Sequence, residues 1–356
     1  MRILHLSHAG LPDERIERSA WSSWSVGKEV HFAGPSPRGL SLPADPFASK
    51  SLLDFDLRSN LGEPLSTKRL VRRAKRIVTQ VRPDVVHAHD IFAARLAMRL
   101  ELPFVYDDHE YWSKDVLANS GTFDPVSAYK NLLWSSWEKD VLSQAQSVIT
   151  VSESIAEEHR RRSHKVFVVP NFPRTVEIQK LPVPELRRGE MTSVYTGSCT
   201  PPFMKFRDVG GLIDLFRGKS MGALKVIGDE MLRTNPPVFS LGRLSHEAMM
   251  QEISKCEIGL IPWKKHWFHR YCNPNKAYEY AHAGCVVVVT STLEQVRRTL
   301  SDLCVSFEDY DQMKSLIIDM ASRPDDLVER RKNTQAFARH DLVWDRFDGT
   351  INEAYH

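Results

Sequence analysis

Residues 272–289 hold the strongest signal for phosphate chemistry in the chain. Asn273 suits a helix N-cap, Pro274 suits the first helical position, and Gly284 suits the end of the helix before an apolar strand. A helix N-terminus presents free N–H groups and a partial positive charge, which together bind phosphate. The segment therefore predicts a short helix whose N-terminus faces an anionic ligand.

Three polar residues of this helix extend the prediction to a nucleoside diphosphate. Asn275 and Glu279 are four positions apart and share one helix face. Lys276 adds a cation for the diphosphate, and Glu279 can accept hydrogen bonds from two ribose hydroxyls. The alternative is an ordinary capped helix with a solvated charged face.

A second set of candidate residues follows an apolar run at 193–195. Lys205 and Arg207 lie in the loop after this predicted strand. Fixed cations stabilise a diphosphate leaving group, which gains negative charge as its bond breaks. The alternative is a pair of solvated cations in a loop.

His109 follows another predicted strand, 104–106. Open α/β sheets bind ligands at the carboxyl ends of their strands, so a histidine at this position is a candidate catalytic residue. Asp108 and Glu110 flank it. The alternative is a hydrogen-bonded structural histidine.

Short apolar runs alternate with helical segments throughout the chain, which predicts parallel sheets built from βαβ units. The runs are 3–6, 30–33, 85–88, 104–106, 148–151, 166–169, 193–195, 224–227, 238–241, 258–261, 286–289 and 305–307. Helical patterns cover 66–81 and 125–145. The economical interpretation is two Rossmann-like domains in tandem.

Prolines at 170, 173, 182 and 184 interrupt regular structure and place a linker at 171–189. We therefore predict one domain at 1–172 and a second domain at 190–336. In the remaining tail, 337–356, Trp344, Phe347 and Ile351 recur at helical spacing, which predicts a helix with one apolar stripe to bury.

The helical segment around residues 68–76 is basic and amphipathic. Leu70, Ala74, Ile77 and Val81 form its apolar stripe, and the cations are Lys68, Arg69, Arg72, Arg73, Lys75 and Arg76. Such a helix can lie along an anionic bilayer. Equally, it can be an ordinary outer helix of a Rossmann domain with a solvated face.

Composition narrows the class of protein. The net charge of +3 does not indicate a nucleic-acid partner. The five cysteines are odd in number and never spaced Cys-x-x-Cys, which is typical of reduced thiols in a cytoplasmic protein. No apolar run reaches the length of a membrane-spanning helix. We expect a cytoplasmic protein whose membrane contact, if it has any, is at the inner face.

The order of motifs resembles glycosyltransferase family 4 and its relatives. The family's donor signature is similar to Pro-Asn-Lys-x-x-Glu-Tyr at 274–280, and its opening loop is similar to Asp-Glu-Arg at 13–15. Matching strand-and-loop motifs follow at 83–90, 105–110, 147–154, 168–171, 195–198, 226–229, 241–243 and 258–262. The resemblance covers nearly the whole chain.

The resemblance implies a GT-B fold, in which two Rossmann-like α/β domains face each other across a deep cleft. It implies that the first domain, 1–172, binds the acceptor and that the second, 190–336, binds the nucleotide-sugar. It also implies that the C-terminal helix, 337–356, crosses back and packs on the first domain. It implies sugar transfer from a UDP- or GDP-sugar to a glycan, lipid-linked or small-molecule acceptor, with retention and without a metal or cofactor. The implied catalytic residues are His109, Arg207 and Lys205. The implied donor-binding residues are Gly197, Gly228, Arg243, Pro262, Asn275, Lys276 and Glu279. The implied acceptor-side residues are Gly10, Asp13, Arg15, His89, Asp90, Asp108 and Glu110.

The sequence departs from the family pattern at one position in particular. Many members carry a second glutamate eight positions before the ribose-binding one, and this chain has Tyr271 there. Two other functions therefore stay open. One is a non-catalytic glycosyltransferase-like subunit, and the other is a nucleotide-sugar 2-epimerase of the same fold.

Overall fold

The computed structural model describes residues 1–119, 124–185, 191–218 and 220–356. The chain forms two compact units. Unit 1 comprises Met1–Pro170 and Trp344–His356, and unit 2 comprises Asn171–Val343. Each unit contains one parallel sheet with helices packed on it, so the predicted α/β class with two Rossmann-like domains is confirmed.

Unit 1 contains a seven-stranded sheet in the order β3-β2-β1-β4-β5-β6-β7. Its strands are β1 (Arg2–Ser7), β2 (Glu29–Gly34), β3 (Ser49–Leu52), β4 (Val85–His89), β5 (Phe104–Asp108), β6 (Ser147–Thr150) and β7 (Val166–Val168). Its helices are α1 (Glu14–Trp24), α2 (Leu57–Asn60), α3 (Pro64–Val81), α4 (Asp90–Arg99), α5 (Trp112–Asn119), α6 (Pro125–Gln144) and α7 (Glu153–His159).

Unit 2 contains a six-stranded sheet in the order β10-β9-β8-β11-β12-β13. Helix α8 (Thr175–Ile178) precedes its strands, which are β8 (Thr192–Thr196), β9 (Ala223–Ile227), β10 (Val238–Ser240), β11 (Ile258–Ile261), β12 (Val286–Thr290) and β13 (Cys304–Phe307). Its other helices are α9 (Leu212–Arg217), α10 (His246–Ser254), α11 (Asn275–His282), α12 (Glu294–Leu300), α13 (Tyr310–Ser322) and α14 (Pro324–Asp341).

The central strands are buried along their length because helices cover both faces of each sheet. In unit 1, alternate residues of β1, β4 and β5 pack on opposite faces. One face forms a core with α3, α4 and α6. The other face packs on the end of the chain, where Trp344 and Ile351 join Ile3, Val85 and Val105 in a fully buried cluster.

The returning segment at the end of the chain is shorter than predicted. Helix α14 continues to Asp341 in unit 2, because Arg331 and Gln335 are buried there. The segment that joins unit 1 begins at Trp344 and holds a 3₁₀ turn, Trp344–Phe347, and the last helix, α15 (Asp348–Glu353). The predicted single helix over 337–356 is therefore wrong in extent.

The boundary between the units also differs from the predicted one. Unit 2 begins at Asn171, and α8 lies inside the predicted linker. The last part of that linker, 186–189, and the predicted first residue of the second domain, 190, lie outside the described residues.

Candidate functional site

Two glycines mark the carboxyl edge of the sheet in unit 2. Gly197 follows β8 with φ 137°, and Gly228 follows β9 with φ 101°. The Gly197 N–H donates to the Ile227 carbonyl at 2.7 Å, and the Gly228 N–H donates to the Gly242 carbonyl at 2.7 Å. A Cβ on Gly197 would lie 3.1 Å from the Lys276 Nζ. Both backbone turns therefore need glycine.

Helix α11 carries the predicted phosphate-binding end. It begins at Asn275 with Pro274 as N-cap, so the predicted cap at Asn273 is wrong by one position. The Asn273 side chain instead accepts a hydrogen bond from the Tyr278 hydroxyl. Gly284 follows the helix with φ 77°, the left-handed conformation expected at a helix end.

Lys276 lies between two aromatic rings. Its Nζ is 4.5 Å from the centre of the Tyr195 ring and 5.4 Å from that of Trp263, and it donates a hydrogen bond to the Thr196 carbonyl. Burial, and next the nearby charge of Arg207, lower the pKa of Lys276 to about 7. A bound diphosphate would favour the protonated form of this amine.

Glu279 is buried on the same helix, one turn after Asn275. The His246 Nε2 lies 3.5 Å from its Oε1. The next residue, Tyr280, accepts a hydrogen bond from the Thr196 N–H at 2.8 Å and so fixes α11 against β8. The carboxylate of Glu279 is thus held on a rigid element.

The two predicted loop cations lie on a 3₁₀ turn, Lys205–Arg207. Lys205 is exposed, and the guanidinium of Arg207 stacks over the rings of Phe206 and Trp263 at 5.1 and 5.7 Å. The Trp263 ring therefore contacts both Lys276 and Arg207. The structure thus brings Lys276 and Arg207 together at the carboxyl edge of β8.

The remaining predicted donor-binding residues are Pro262 and Arg243. The Pro262 carbonyl accepts a hydrogen bond from the Tyr310 hydroxyl at 3.0 Å, and Pro262 is buried. Arg243 is exposed on the loop after Gly242.

In unit 1, the carboxyl ends of three neighbouring strands carry a buried polar cluster. His5 pairs in register with His87, and His89 pairs with Asp107. Side chains alternate along a strand, so these residues and His109 share one face of the sheet. The rings of His5, His87 and His89 stack at 4.5 to 5.2 Å.

Asp107 is the hub of the cluster. The guanidinium of Arg15 binds its carboxylate, with Nη2 2.6 Å from Oδ1 and Nε 3.2 Å from both oxygens. The His87 Nε2 lies 3.1 Å from Oδ2, and the His87 Nδ1 lies 2.7 Å from the Tyr355 hydroxyl. Burial disfavours the ionised form of Asp107, but Arg15 and His109 hold its pKa well below the usual range.

His109 lies between two carboxylates. Its Nε2 is 3.3 Å from Asp107 Oδ2, and its Nδ1 is 3.8 Å from Asp90 Oδ2, while its backbone N–H donates to Asp90 Oδ1 at 3.1 Å. Burial alone would lower the pKa of His109, but Asp90 and Asp107 raise it to about 9. Burial raises the pKa of Asp90 to about 7.

A protonated His109 determines which ring nitrogens of His89 and His5 carry protons. Burial, and next the neighbouring His87, lower the pKa of both His5 and His89, which keeps these rings neutral. The His109 Nε2–H points at the His89 Nδ1, 3.1 Å away, so His89 carries its proton on Nε2. That proton is then donated to the His5 Nδ1 at 2.9 Å. The hydrogen bonds therefore run in one direction, from His109 to His89 to His5.

One group of ligand atoms in this cluster is close enough together to suit a metal ion. Atoms of His87, His89 and Asp107 lie within 4.8 Å of one another. A cation there would compete with Arg15, which already holds both oxygens of Asp107. We therefore interpret the cluster as an ion-pair network.

Asp-x-Asp triplets occur twice, at 54–56 and 309–311. The Asp56 side chain caps α2 through the Ser59 N–H, and the Asp309 side chain caps α13 through the Gln312 N–H. One carboxylate of each triplet thus has a structural role.

The structure brings Arg15, His89, Asp90 and His109 together but not the other predicted acceptor-side residues. Asp108 is buried on the opposite face, where its Oδ2 lies 2.7 Å from the His159 Nε2. Asp13 caps α1 by accepting from the Ile16 N–H at 3.0 Å. Gly10 lies under Pro35, whose oxygen would be 2.5 Å from an added Cβ, and Glu110 is exposed.

Sequence reasoning missed Asp107, His87 and Tyr355. The strand period of two was a usable signal for Asp107, because it places residue 107 beside 109 and residue 108 on the other face. No local pattern indicates Tyr355, which reaches His87 from 268 residues away in sequence.

Comparison with known proteins assigns this architecture. Residues 26–175 match the model of Glycosyltransferase Family 4. The matched segment is less than half of the chain. No significant relative is found among curated proteins. Among the described residues, no helix is both long and apolar enough to cross a membrane.

Solved structures extend the likeness to the whole chain. Sucrose-phosphate synthase from Thermosynechococcus elongatus is 14% identical with a TM-score of 0.75, and 100% of this chain and 98% of that one are covered. Anabaena HepE, solved with UDP, is 13% identical with a TM-score of 0.69 and 99% coverage of both chains. Trehalose 6-phosphate synthase from Burkholderia multivorans is 13% identical with a TM-score of 0.65, and 99% of this chain and 98% of that one are covered. The predicted GT-B fold is confirmed.

Proposed function

We propose that the protein transfers a sugar from a nucleotide-sugar donor bound by unit 2 to a glycan, lipid-linked or small-molecule acceptor, with retention of configuration and without a metal. The observation that carries the proposal is a convergence at the carboxyl edge of one sheet. The N-terminus of α11, the cations Lys276 and Arg207, and the buried carboxylate of Glu279 meet there.

Each feature matches one part of a nucleoside diphosphate. The free N–H groups of α11 and the two glycine turns suit the phosphates, because they offer donors and allow close backbone approach. Glu279 suits ribose hydroxyls, which are donors that a carboxylate accepts. Neighbouring structures solved with UDP or UDP-glucose make a UDP-sugar the first donor to test.

The same cations have a role in the chemical step. When the glycosidic bond breaks, the departing diphosphate gains negative charge, and Lys205, Arg207 and Lys276 can stabilise that charge without a metal ion. Trp263 contacts both Lys276 and Arg207, so two of the three cations are held in place before the donor arrives.

His109 is the proposed catalytic residue of unit 1. It lies after β5, beside the carboxyl end of β4, at a sheet edge where α/β folds bind ligands. Its protonated ring can donate a hydrogen bond to a sugar oxygen near the reacting carbon. The ion pair between Arg15 and Asp107 keeps this ring in one orientation.

The proposed acceptor side includes contact with the inner face of an anionic membrane. All six cations of α3 are exposed. Helix α6 carries an exposed apolar stripe, Val126, Tyr129 and Leu132, and the Tyr129 hydroxyl bonds the Leu61 carbonyl just before α3. Basic and apolar surface are therefore neighbours in unit 1, as in helices that lie on membranes.

A screen of donors tests the proposal. UDP-, GDP- and ADP-sugars are added to the purified protein, and the sugar that binds the folded state raises its melting temperature. Glu279→Gln keeps the side-chain size but removes the charge, and we expect it to weaken binding of that donor by about tenfold or more. The matched control is Glu247→Gln, an exposed glutamate of α10.

Product analysis separates the alternatives. Slow hydrolysis of the bound donor to free sugar supports the transferase. Exchange of the C2 proton of the sugar with solvent identifies an epimerase instead. If the donor binds but is not cleaved with any acceptor tested, the protein is a non-catalytic subunit. Tyr271 is the residue that leaves this alternative open.

A further inference from the structure

The loop that carries the proposed phosphate cations has little regular structure of its own. It runs from Gly197 after β8 to Gly211 before α9, and its one regular element is the 3₁₀ turn at Lys205–Arg207. A loop of this kind would sample many conformations, and each one that misplaces the cations lowers affinity for an anion. Something outside the loop must therefore hold it.

Asp229 holds the first part of the loop. Its Oδ2 accepts hydrogen bonds from the Cys199 N–H at 2.7 Å, the Thr200 hydroxyl at 2.8 Å and the Ser198 hydroxyl at 3.2 Å. Its Oδ1 accepts from the backbone N–H groups that follow it, those of Met231 at 3.0 Å and Leu232 at 2.9 Å. One buried carboxylate thus joins the turns after β8 and β9.

His269 holds the second part. Its Nε2 lies 2.6 Å from the Phe206 carbonyl, which can only accept, so Nε2 carries the proton. Its Nδ1 therefore accepts from the Thr292 hydroxyl at 2.6 Å. Burial lowers the pKa of His269 to about 4, which agrees with a neutral ring that has a partner on each nitrogen.

The residue that His269 holds is the one between the two cations. Phe206 is fully buried, and its ring packs against Phe268 at 4.9 Å. Lys205 and Arg207 flank it in sequence, so fixing the Phe206 carbonyl and ring fixes the direction of both flanking side chains.

We propose that Asp229 and His269 are positioning residues of the diphosphate subsite, which fix the two halves of the 198–207 loop so that its cations are in place before the nucleotide binds. Neither residue needs to touch the ligand. The inference rests on the proposed function, because it takes Arg207 and Lys205 to face a diphosphate.

The experiment compares UDP with uridine, which lacks the phosphates, by calorimetry on the full chain. Asp229→Asn keeps the shape of the side chain but replaces one carboxylate oxygen with an NH₂ group. This group cannot accept the hydrogen bonds that the oxygen accepted. His269→Leu removes both ring contacts, and Thr292→Val removes only the hydroxyl that orients the ring. Asp214→Asn and His340→Leu are matched controls at exposed positions of unit 2.

We expect Asp229→Asn and His269→Leu to weaken UDP binding by about tenfold, the usual effect of losing a charged or buried hydrogen bond, while uridine affinity stays unchanged. Thr292→Val should weaken UDP binding less. His269→Gln, whose amide can still donate to the Phe206 carbonyl, should restore most of the affinity. The two controls should bind like the unchanged protein.

Two results overturn the inference. Equal losses for UDP and uridine would mean that the residues only stabilise unit 2, and unchanged UDP affinity in folded variants would mean that the loop needs neither anchor. Arg207→Ala separates this failure from failure of the proposed function. If Arg207→Ala also leaves UDP affinity unchanged, the proposed diphosphate subsite itself is wrong.

Discussion

His109 is a partly buried imidazole that carries a positive charge because two carboxylates lie beside it. A buried ring with no such partners would be neutral at pH 7. The arrangement therefore favours a role as hydrogen-bond donor or acid rather than as base. Asp107 supplies the larger share of contacts to the cluster, and it was visible in the sequence only through the alternation of residues along β5.

Kinetics of a His109 variant test this role. We expect His109→Ala to lower kcat far more than it raises the donor KM, because a donor to a sugar oxygen near the reacting carbon matters most as charge develops. Steady-state kinetics with the donor found in the screen measure both constants. His164→Ala, an exposed histidine of unit 1, is the control. A raised KM with unchanged kcat would make His109 a binding residue. If kcat and KM both stay within about twofold of those of the unchanged protein, His109 has only a structural role.

The charge on His109 also predicts how stability depends on pH. Its pKa in the folded protein is raised to about 9 from the ordinary histidine value of 6.5. The stabilisation from the charged ring is therefore complete below about pH 6.5 and is lost as pH rises through about 9. We expect His109→Gln to remove this dependence. The unfolding free energy lost through the substitution should therefore be up to about 3 kcal/mol larger at pH 6 than at pH 9.

Urea unfolding at the two pH values gives these free energies, and ring NMR signals of His109 give its pKa directly. A His109 ring that titrates near pH 6.5 would contradict the prediction. Burial also raises the pKa of Asp90, so ionisation of Asp90 likewise lowers stability as pH rises. Because His109 and Asp90 shift each other's pKa, the difference between the two proteins at each pH measures the contribution of this pair.

At the scale of elements, the sequence predicts twelve of the thirteen strands, because parallel strands covered on both faces are short apolar runs. It misses β3, Ser49–Leu52, whose polar residues at the sheet edge bury no face and show no alternation. Helices are predicted where a cap and an apolar stripe coincide, as in α3 and α6. The positions that tertiary contacts decide, such as the cap of α11, are off by a residue.

The same reasoning explains why the sequence relates the polar residues of α11 to one another more readily than those of the cluster in unit 1. The donor residues Asn275, Lys276 and Glu279 lie on one helix, so their spacing alone relates them. The cluster in unit 1 joins α1, β1, β4, β5 and the end of the chain. Its members meet only through sheet register, which no local pattern contains.

Helix α3 provides a prediction of its own. We expect the protein to bind vesicles of phosphatidylcholine mixed equally with phosphatidylglycerol, and not vesicles of phosphatidylcholine alone, because each basic residue near an anionic surface contributes about 1 kcal/mol. Arg72→Glu, Arg73→Glu and Arg76→Glu combined should abolish sedimentation with the anionic vesicles. The control reverses three exposed cations of unit 2, Arg217, Arg298 and Lys332. Equal loss in both triple variants would show only an effect of net charge.

At the scale of the whole molecule, the chain crosses twice between its two units, and the last thirteen residues complete unit 1. Trp344 is fully buried, and its indole N–H donates to the Ser22 hydroxyl at 2.9 Å. Tyr355 joins the same segment to His87. The end of the chain therefore covers one face of the sheet that carries His109.

Removal of the segment Trp344–His356 should consequently unfold one unit and spare the other. The deletion uncovers Ile3, Val85 and Val105, and truncation of the buried Trp344 to Ala alone should cost about 3–5 kcal/mol, as for other large core side chains. Unit 2 loses no core residue, so it should keep its thermal transition and its affinity for UDP. Differential scanning calorimetry would show one transition lost, and proteolysis would cleave unit 1 first. Deletion of the exposed His356 alone is the control. A truncated chain in which unit 1 still melts cooperatively and resists protease would show that the sheet face does not need its cover.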